Sequence, residues 1–337
     1  MVMTCICITP RAVSGGVASF RMKFEVGLRR LGIGVTYDLD QRADAILVLG
    51  GTRRLLPLWM AKRRGLRLVQ RLDGVNWVQR TRWSGLRYTL RAEYGNALLA
   101  FIRKRLAGRV IYQSRFIRRW WEEWYGAVDA PSWVIWNGVD LEAYAPVRRD
   151  FIPSHLPYRL LVVEGSLSGG LDTGLRAAVQ LAEILSTSWP VELLVAGNVE
   201  ARVARRLAGR NRAPVRLLGA LPRDQIPALM RSAHLLFSAE INPPCPNSVI
   251  EALACGLPVI GFETGSLREL VGEEAGRLVP YGGDEWKLEP PDVPALAEAA
   301  KEVLQEQARF RAAARRRAES VFGLEEMVEA YLEVLLG

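Results

Sequence analysis

The feature that most constrains this chain is a regular alternation of short apolar segments with longer amphipathic ones along almost all of its 337 residues. Short apolar segments of this kind are typical of strands buried on both faces of a parallel sheet. The amphipathic segments between them are typical of helices that cover such a sheet. The chain is long enough for two sheets. The pattern therefore predicts an α/β fold with two domains, each built on a parallel sheet.

The predicted strands fall into two sets, separated by a segment without apolar periodicity. Residues 137–146 have the composition of turns, and residues 148–157 are polar and contain prolines. We therefore predict an N-terminal domain of residues 1–147, a C-terminal domain of residues 148–321, and a last helix, residues 322–337, that returns to the first domain. The predicted strands are residues 5–9, 35–37, 45–49, 67–71, 110–112 and 134–135, then 160–163, 191–196, 215–218, 234–238 and 258–262.

Composition argues against several classes of protein. No apolar segment approaches the roughly 20 residues that a membrane-spanning helix requires. Residues 1–8 lack the basic start and the cleavage site of a signal peptide, so we interpret them as the start of the protein and of its first strand. The four cysteines and two histidines show no metal-binding spacing. We expect no structural zinc, and we interpret Cys5 and Cys7 as small buried residues of a cytoplasmic protein.

Positive charge is concentrated in the first half of the chain. Residues 1–150 contain 26 lysines and arginines against 12 aspartates and glutamates, whereas the rest of the chain contains 19 against 24. The N-terminal half could therefore face an anionic partner, such as a membrane surface, a phosphorylated acceptor or a nucleic acid. A general preference for arginine would explain the same excess, and charge alone does not separate these explanations.

The densest local signal is residues 243–261, which read as a loop, a helix, a glycine stop and a buried strand. Asn247 or Ser248 can cap the helix, and Gly256 follows its last turn. The amides and aligned peptide dipoles at such a helix start suit a diphosphate, and Glu251, one turn further, offers two oxygens to a ribose diol. An acid in the first turn also complements the helix dipole without any ligand, so both interpretations stay open.

This segment resembles the donor-site signature of glycosyltransferase family four, in the variant that reads Asp-Pro-Cys-Pro-Asn followed by a Glu-Ala-Leu-Ala-Cys-Gly-Leu-Pro-Val helix. Gly15 and Gly16 resemble the family's N-terminal glycine loop. Residues 114–126 and 137–140 resemble its serine, aromatic helix and Asn-Gly-Val-Asp linker, and residues 261–278 resemble the segment after the donor helix. The resemblance covers nearly the whole chain.

The resemblance implies the GT-B fold, in which two Rossmann-like domains enclose a cleft, and a transferase that retains the configuration of the transferred sugar. It implies a nucleoside-diphosphate sugar as donor, held by the second domain, and a glycan or lipid-linked cell-envelope acceptor, held by the first. It implies neither a metal nor another cofactor. Glu251 would hold the ribose, while glycines and helix-start amides would surround the diphosphate. The residues implied for these groups are Gly15, Gly16, Asn247, Ser248, Glu251 and Ser266, with the nucleobase near Gly219 and Leu221.

Two departures from the family pattern fall on residues that take part in the chemistry. The family places a first glutamate where this chain has Pro243, and Glu240 is the nearest carboxylate that could replace it. The family's arginine and lysine are absent from residues 164–170, which offer amides and hydroxyls instead of cations. The residues of this loop assigned to the donor are Gly165, Ser166, Gly169 and Gly170, and the cations that could compensate are Arg268, Arg21 and Arg71.

Asp73 is the predicted catalytic residue. It follows a strand and directly precedes Gly74, at a position where the family often has a histidine at the reaction centre. A carboxylate there could orient a sugar hydroxyl or act as a general base. An aspartate that only closes a turn beside Gly74 gives the same pattern, so this interpretation also stays open.

Two other patterns have simpler explanations. Asp38 and Asp40 resemble the acidic pair that binds a divalent ion in the other glycosyltransferase architecture, but they stand in a predicted solvent turn without a second acidic cluster. The aromatic residues of segment 116–125 lie at helical spacing, which favours a core face over seating in a membrane.

The sequence therefore favours a cytoplasmic sugar transferase that could contact the inner face of an anionic membrane through the basic residues 62–64 and Arg67. Pro243 and the missing cations favour instead a catalytically silent relative that binds a nucleotide or a glycan as a subunit. No recognisable nucleic-acid-binding motif accompanies the basic half.

Overall fold

The computed structural model describes residues 4–13, 15–83, 85–147, 153, 156–167, 172–207 and 212–337. The chain divides into two compact units, Met1–Gly138 with Leu324–Gly337 and Val139–Gly323. The predicted boundary after residue 147 therefore lies inside the second unit. The reason is that Val139 donates to the carbonyl of Phe322 at 2.8 Å, and Arg315 donates to the carbonyl of Leu141 at 3.1 Å.

Each unit contains a six-stranded sheet in which all neighbouring strands run parallel. The first sheet has the order β2-β1-β3-β4-β5-β6 and the second β12-β11-β10-β7-β8-β9. The predicted α/β fold with two parallel sheets is confirmed. The strands are β1 (Cys5–Thr9), β2 (Gly34–Thr36), β3 (Ala45–Leu49), β4 (Arg67–Leu72), β5 (Arg109–Tyr112), β6 (Ser132–Val134), β7 (Tyr158–Ser166), β8 (Val191–Asn198), β9 (Val215–Gly219), β10 (Leu235–Phe237), β11 (Val259–Phe262) and β12 (Gly276–Val279).

Helices connect these strands in both units. The final strand β12 is absent from the predicted set because Arg277 interrupts its short apolar run. Helix α4 continues into a π-helical segment, Ile102–Leu106. The α-helices are α1 (Gly15–Arg30), α2 (Leu55–Arg63), α3 (Val78–Thr81), α4 (Leu86–Phe101), α5 (Arg115–Tyr125), α6 (Asp172–Leu185), α7 (Ala201–Leu207), α8 (Ile226–Ser232), α9 (Asn247–Ala254), α10 (Leu267–Val271), α11 (Val293–Gln305), α12 (Gln307–Val321) and α13 (Leu324–Leu336).

The core of the first unit contains both ends of the chain. Strand β3 is buried at every position, as a central parallel strand requires. Helix α13 packs on α1, with the ring of Tyr331 lying 5.0 Å from Phe20 and 5.3 Å from Phe24. A Cβ atom on Gly27 would lie 2.4 Å from Val328, so the two helices approach closely only because glycine stands there. The C-terminal helix therefore returns to the first unit.

The aromatic residues of segment 116–125 lie on helix α5, and their burial shows whether they face the core. Ile117, Trp120 and Trp121 are buried. The indole nitrogen of Trp121 donates to the carbonyl of Asp73 at 2.8 Å, which ties the helix to the end of β4. The predicted core face is confirmed. None of the helices in the described ranges combines the length and the apolar character needed to cross a bilayer.

The core of the second unit buries helix α9 and fixes its C-terminal end. Val249, Ile250 and Leu253 are fully buried. At the C-terminal end, Arg315 donates to the carbonyl of Ala254 at 2.7 Å, and Arg311 donates to that of Gly256 at 3.3 Å. Cations at this end satisfy the last carbonyls and complement the helix dipole. The helix is thus held with its N-terminus at the carboxyl edge of the sheet.

Candidate functional site

The strand order reverses once in each sheet, between β1 and β3 in the first and between β7 and β10 in the second. Loops that leave the two strands at such a reversal run to opposite faces of the sheet, and the crevice between them is where α/β folds bind ligands. Each reversal is therefore a candidate site within its own unit.

Two carboxyl groups meet at the reversal in the second unit. Glu164 stands near the end of β7, and Glu240 follows β10, the strand that pairs with β7. Burial, and then the neighbouring Glu240 carboxylate, raise the pKa of Glu164 well above its ordinary value. Glu164 therefore favours its neutral form, which donates a hydrogen bond and does not repel an anion.

Three small polar side chains nearby are buried without a hydrogen-bond partner. They are Ser238, which follows β10, Asn242 in the loop after it, and Ser266 at the start of α10. Their exposed fractions are 4%, 3% and 0%. A buried polar group without a partner carries an unrecovered desolvation cost of about 1–3 kcal/mol, and such groups mark places where a ligand or water completes the bonding.

Close backbone packing shapes this edge of the sheet. A Cβ atom on Gly174, in the first turn of α6, would lie 1.7 Å from the carbonyl oxygen of Ala239. A Cβ on Gly265, where φ is +60°, would lie 2.4 Å from the nitrogen of Pro243. A cavity of about 10 Å³, lined in part by Gly174, Ser238 and Glu240, has room for about one water. The start of α6 and the loops after β10 and β11 therefore converge on one small polar region.

Helix α9 begins at Asn247 without a side-chain cap. Pro246 occupies the N-cap position, so the prediction that Asn247 or Ser248 caps the helix is wrong. Asn247 and Ser248 are half-buried in the first turn. The first amides of an α-helix have no acceptors within the helix, and Pro246 at the N-cap has no side chain that could accept from them. The use of these two residues to bind an anion stays a prediction.

Glu251 lies on α9, with 8% of its surface exposed, and interacts with Tyr144. Burial raises the pKa of the Tyr144 hydroxyl, and the hydrogen-bonded carboxylate of Glu251 raises it further. Tyr144 therefore stays protonated and can donate to the carboxylate. The sequence had not identified Tyr144, which lies in the turn-rich segment after Asn137 and carries no motif of its own.

The environment of Ser266 corrects one prediction. Its backbone amide donates to the carbonyl of Pro243 at 2.9 Å, so this amide is already used within the unit. The buried hydroxyl, and not the amide, is the group of Ser266 left without a partner. Pro243 itself is buried, and a proline has no carboxylate to take the place of the family's first glutamate.

The cations proposed as replacements for the missing pair differ in their surroundings. Arg268 on α10 is exposed. Arg71 is buried in the first unit, where it donates to the side chain of Asn137 at 2.8 Å and to the hydroxyl of Tyr331 at 3.2 Å. Arg21 donates to the carbonyl of Arg11. Arg71 and Arg21 thus serve contacts inside the first unit, which leaves Arg268 as the solvent-accessible candidate of the three.

The structure gives the surroundings of the other residues predicted to bind the donor, but no contact that tests their role. Gly165 is exposed with open space around it, and Gly219 is exposed with φ at +68°. Leu221 is half-buried, and Ser166 pairs through its backbone with Asn198. Gly169 and Gly170 lie outside the described residues. These assignments remain predictions.

The carboxyl edge of the first sheet contains the remaining predicted residues. Gly15 and Gly16 are exposed at the start of α1, and Gly15 has φ at +58° with open space around it. Asp73 follows β4, and burial raises its pKa, while the nearby charge of Arg71 partly lowers it. A carboxylate whose pKa is raised is a stronger base than an ordinary one, which suits a general base.

Comparison with protein families points to sugar transfer. The family described as glycosyl transferases group 1 matches residues 159–306. A 2-deoxystreptamine N-acetyl-D-glucosaminyltransferase from Streptomyces fradiae is 34% identical over 94 residues, which are 28% of this chain and 20% of that protein. A phosphatidyl-myo-inositol mannosyltransferase from Mycobacterium tuberculosis is 29% identical over 209 residues, 59% of this chain and 50% of that protein. The matches span half of these relatives' length or less.

Solved structures share the fold at low sequence identity. A sucrose-phosphate synthase from Thermosynechococcus elongatus has a TM-score of 0.73 at 17% identity and covers 98% of both chains. HepE from Anabaena, solved in complex with UDP, has a TM-score of 0.69 at 18% identity and covers 99% of both chains. These likenesses, with the two parallel sheets, show the GT-B fold.

Proposed function

We propose that the protein transfers a sugar from a nucleoside-diphosphate sugar to a hydroxylated acceptor, on the premise that residues 159–306 match the family described as glycosyl transferases group 1. The observation that supports this most is the edge of the second sheet at the β7/β10 reversal. There, the uncapped start of α9 and the unpartnered hydroxyls of Ser238 and Ser266 offer donors suited to an anion.

The second unit would hold the donor. Glu251 would accept the ribose hydroxyls while Tyr144 orients its carboxylate, and the first amides of α9 would meet the diphosphate. A neutral Glu164, near the end of β7, would add no negative charge beside the phosphates, next to the loop where the family has cations. UDP is the first nucleotide to test, since the Anabaena neighbour was solved with it.

The first unit would hold the acceptor, with Asp73 orienting or deprotonating the attacking hydroxyl. We propose a retaining transfer without a bound metal, to a glycan or a lipid-linked acceptor. The matched relatives are named for transfer to 2-deoxystreptamine and to phosphatidyl-myo-inositol, so polyhydroxylated rings belong in the first acceptor panel.

A transfer assay tests this proposal. Purified protein is incubated with UDP-glucose, UDP-N-acetylglucosamine or GDP-mannose, with and without the acceptor panel, and released nucleotide is measured. The proposal expects release that depends on an acceptor and collapses in Glu251→Ala, while the exposed control Glu274→Ala is unaffected. Product analysis by NMR then reports whether the anomeric configuration is retained.

The second candidate function is a silent subunit that binds a nucleotide or glycan. Pro243 favours it, because a buried proline cannot bind a sugar hydroxyl as the family's first glutamate does. Nucleotide binding without turnover on any donor and acceptor pair would support this candidate over the transferase.

A further inference from the structure

Helix α4 in the first unit presents its apolar side chains to solvent. Only Ala92 and Asn96 of its 16 residues are buried, and Asn96 holds Asn76 through bonds of 2.8 and 3.0 Å. Leu86 and Leu90 are 62% and 61% exposed. A surface helix ordinarily turns its apolar stripe toward the core. Here the two fully buried side chains are small or polar, and large apolar side chains are exposed on the outward face.

The exposed residues form a continuous stripe. Leu86, Leu90, Tyr94 and Phe101 are exposed and spaced by four, four and seven residues, which places them on one side of a helix with 3.6 residues per turn. Arg87 and Arg91 follow two of these residues directly, so cations flank the stripe on the same exposed side.

Helix α2 extends this surface. Trp59 and Met60 on α2 are 42% and 51% exposed. Arg53, just before α2, lies 5.8 Å from the ring of Tyr94 on α4, and Lys62 near the end of α2 donates to the carbonyl of Arg105 at 3.0 Å, beyond the end of α4. Helix α2 therefore lies beside the C-terminal half of α4. Trp83, in the loop before α4, is 79% exposed. We name the group of Trp59, Met60, Trp83, Leu86, Leu90 and Tyr94 the α2–α4 surface.

The charge around this surface selects among possible occupants. Residues 51–105 contain 14 lysines and arginines against two acidic residues, Asp73 and Glu93. A second copy of this chain would bring two strongly basic surfaces together, which is unfavourable. A nucleic acid would pair with the arginines but leave the leucine stripe without an apolar partner. An anionic bilayer supplies both phosphates and hydrocarbon.

We propose that the α2–α4 surface docks onto an anionic lipid bilayer. The leucine and aromatic side chains enter the boundary between headgroups and acyl chains, and the flanking guanidinium groups pair with lipid phosphates. The structure adds to the basic residues noted in the sequence an apolar stripe that sequence alone did not reveal. The docking does not depend on the proposed sugar transfer.

Vesicle co-sedimentation, without any nucleotide sugar, tests the proposal. Wild-type protein is mixed with vesicles of phosphatidylcholine alone, or of phosphatidylcholine with about one third phosphatidylglycerol. Binding to the anionic vesicles is expected to be roughly tenfold tighter or more. The double variant Leu86→Ser/Leu90→Ser is expected to lose about tenfold in affinity for them. Its matched control, Met22→Ser/Leu31→Ser, changes two exposed apolar residues elsewhere in the first unit and is expected to bind as wild type.

Two charge-reversal variants test the electrostatic part of the same proposal. Arg87→Glu/Arg91→Glu is expected to weaken binding about fivefold or more for each reversed charge. Arg202→Glu/Arg212→Glu changes the net charge equally at exposed positions of the second unit and is expected to stay within about twofold of wild type. Unchanged melting temperatures confirm that the exposed substitutions leave the fold intact.

Several results would overturn the proposal. Equal binding to neutral and anionic vesicles would contradict the electrostatic part, and wild-type binding by Leu86→Ser/Leu90→Ser would contradict the apolar part. A dimer seen by light scattering without lipid, and lost in the same variant, would assign the surface to a second copy of the chain. Failure of the protein to co-sediment with either kind of vesicle would also contradict the proposal.

Discussion

Buried polar side chains at the carboxyl edges of the two sheets differ in how many of their hydrogen bonds are made. In the first unit, Arg71 bonds Asn137 and Tyr331 and lies 3.9 Å from the ring of Phe20, so it ties β4 to the C-terminal helix. In the second unit, Ser238 and Ser266 are buried with hydroxyls that no described group satisfies. Arg71 thus stabilises the first unit through two of its guanidinium nitrogens, although its Nη1 is also buried without a partner, whereas the serine hydroxyls at the second edge make no hydrogen bond to a described group.

The largest expected effect comes from breaking the packing of the second edge. Gly174→Ala places a Cβ atom 1.7 Å from the carbonyl of Ala239, a backbone atom that cannot rotate away. We expect the free energy of unfolding to fall by about 3 kcal/mol or more. Gly165→Ala, which adds a Cβ into open space, is the control, expected within about 0.5 kcal/mol of wild type. Equal denaturation midpoints for the two variants would contradict the described edge.

A pH-dependent effect of intermediate size is expected at Glu164. Its pKa in the folded state is raised above the ordinary 4.5, so the folded protein loses stability as the pH rises through 4.5 toward the folded value. Glu164→Gln cannot ionise. It should therefore melt a few degrees higher than wild type at about pH 8 and equally at about pH 4. A difference that is the same at both pH values would show that ionisation is not its cause.

The smallest effect separates two serines that are both fully buried. Ser114 accepts from the amide of Ile117 at 3.1 Å and caps α5, so Ser114→Ala should cost about 1 kcal/mol of stability. Ser266 has an unpartnered hydroxyl, so Ser266→Ala should not lower the stability and should raise it by up to about 1 kcal/mol, while it weakens nucleotide binding several-fold. Chemical denaturation and calorimetry measure the two quantities. Equal destabilisation by both would remove the contrast between the edges.

The sequence predicted the architecture because buried parallel strands are near-continuous apolar runs. Strand β3 was predicted with its observed limits, while β12 was missed because it is short and contains Arg277. The boundary between the units was placed too late, because the contacts of residues 139–145 with distant arginines leave no local pattern.

The candidate site was predictable only where it carries a motif. Asn247 and Glu251 stand in a recognisable helix, but Ser238, Asn242 and Tyr144 depend on which loops the sheet brings together. Glu164 was the clearest overlooked residue, because an acidic residue at the end of an apolar strand indicates a buried carboxyl group at the edge of the sheet. The outward stripe of α4 was missed for a related reason, since periodicity shows that a helix has an apolar face but not which way it points.

Isothermal titration of a nucleoside diphosphate tests the central claim, that the second edge holds the donor, most directly. UDP, GDP, ADP, CDP and dTDP are titrated into wild type, Glu251→Ala and Asp73→Ala. We predict that at least one nucleotide binds wild type, that Glu251→Ala weakens it roughly 10- to 100-fold, and that Asp73→Ala stays within about twofold. Failure of every nucleotide to bind, or equal weakening by both substitutions, would contradict the account.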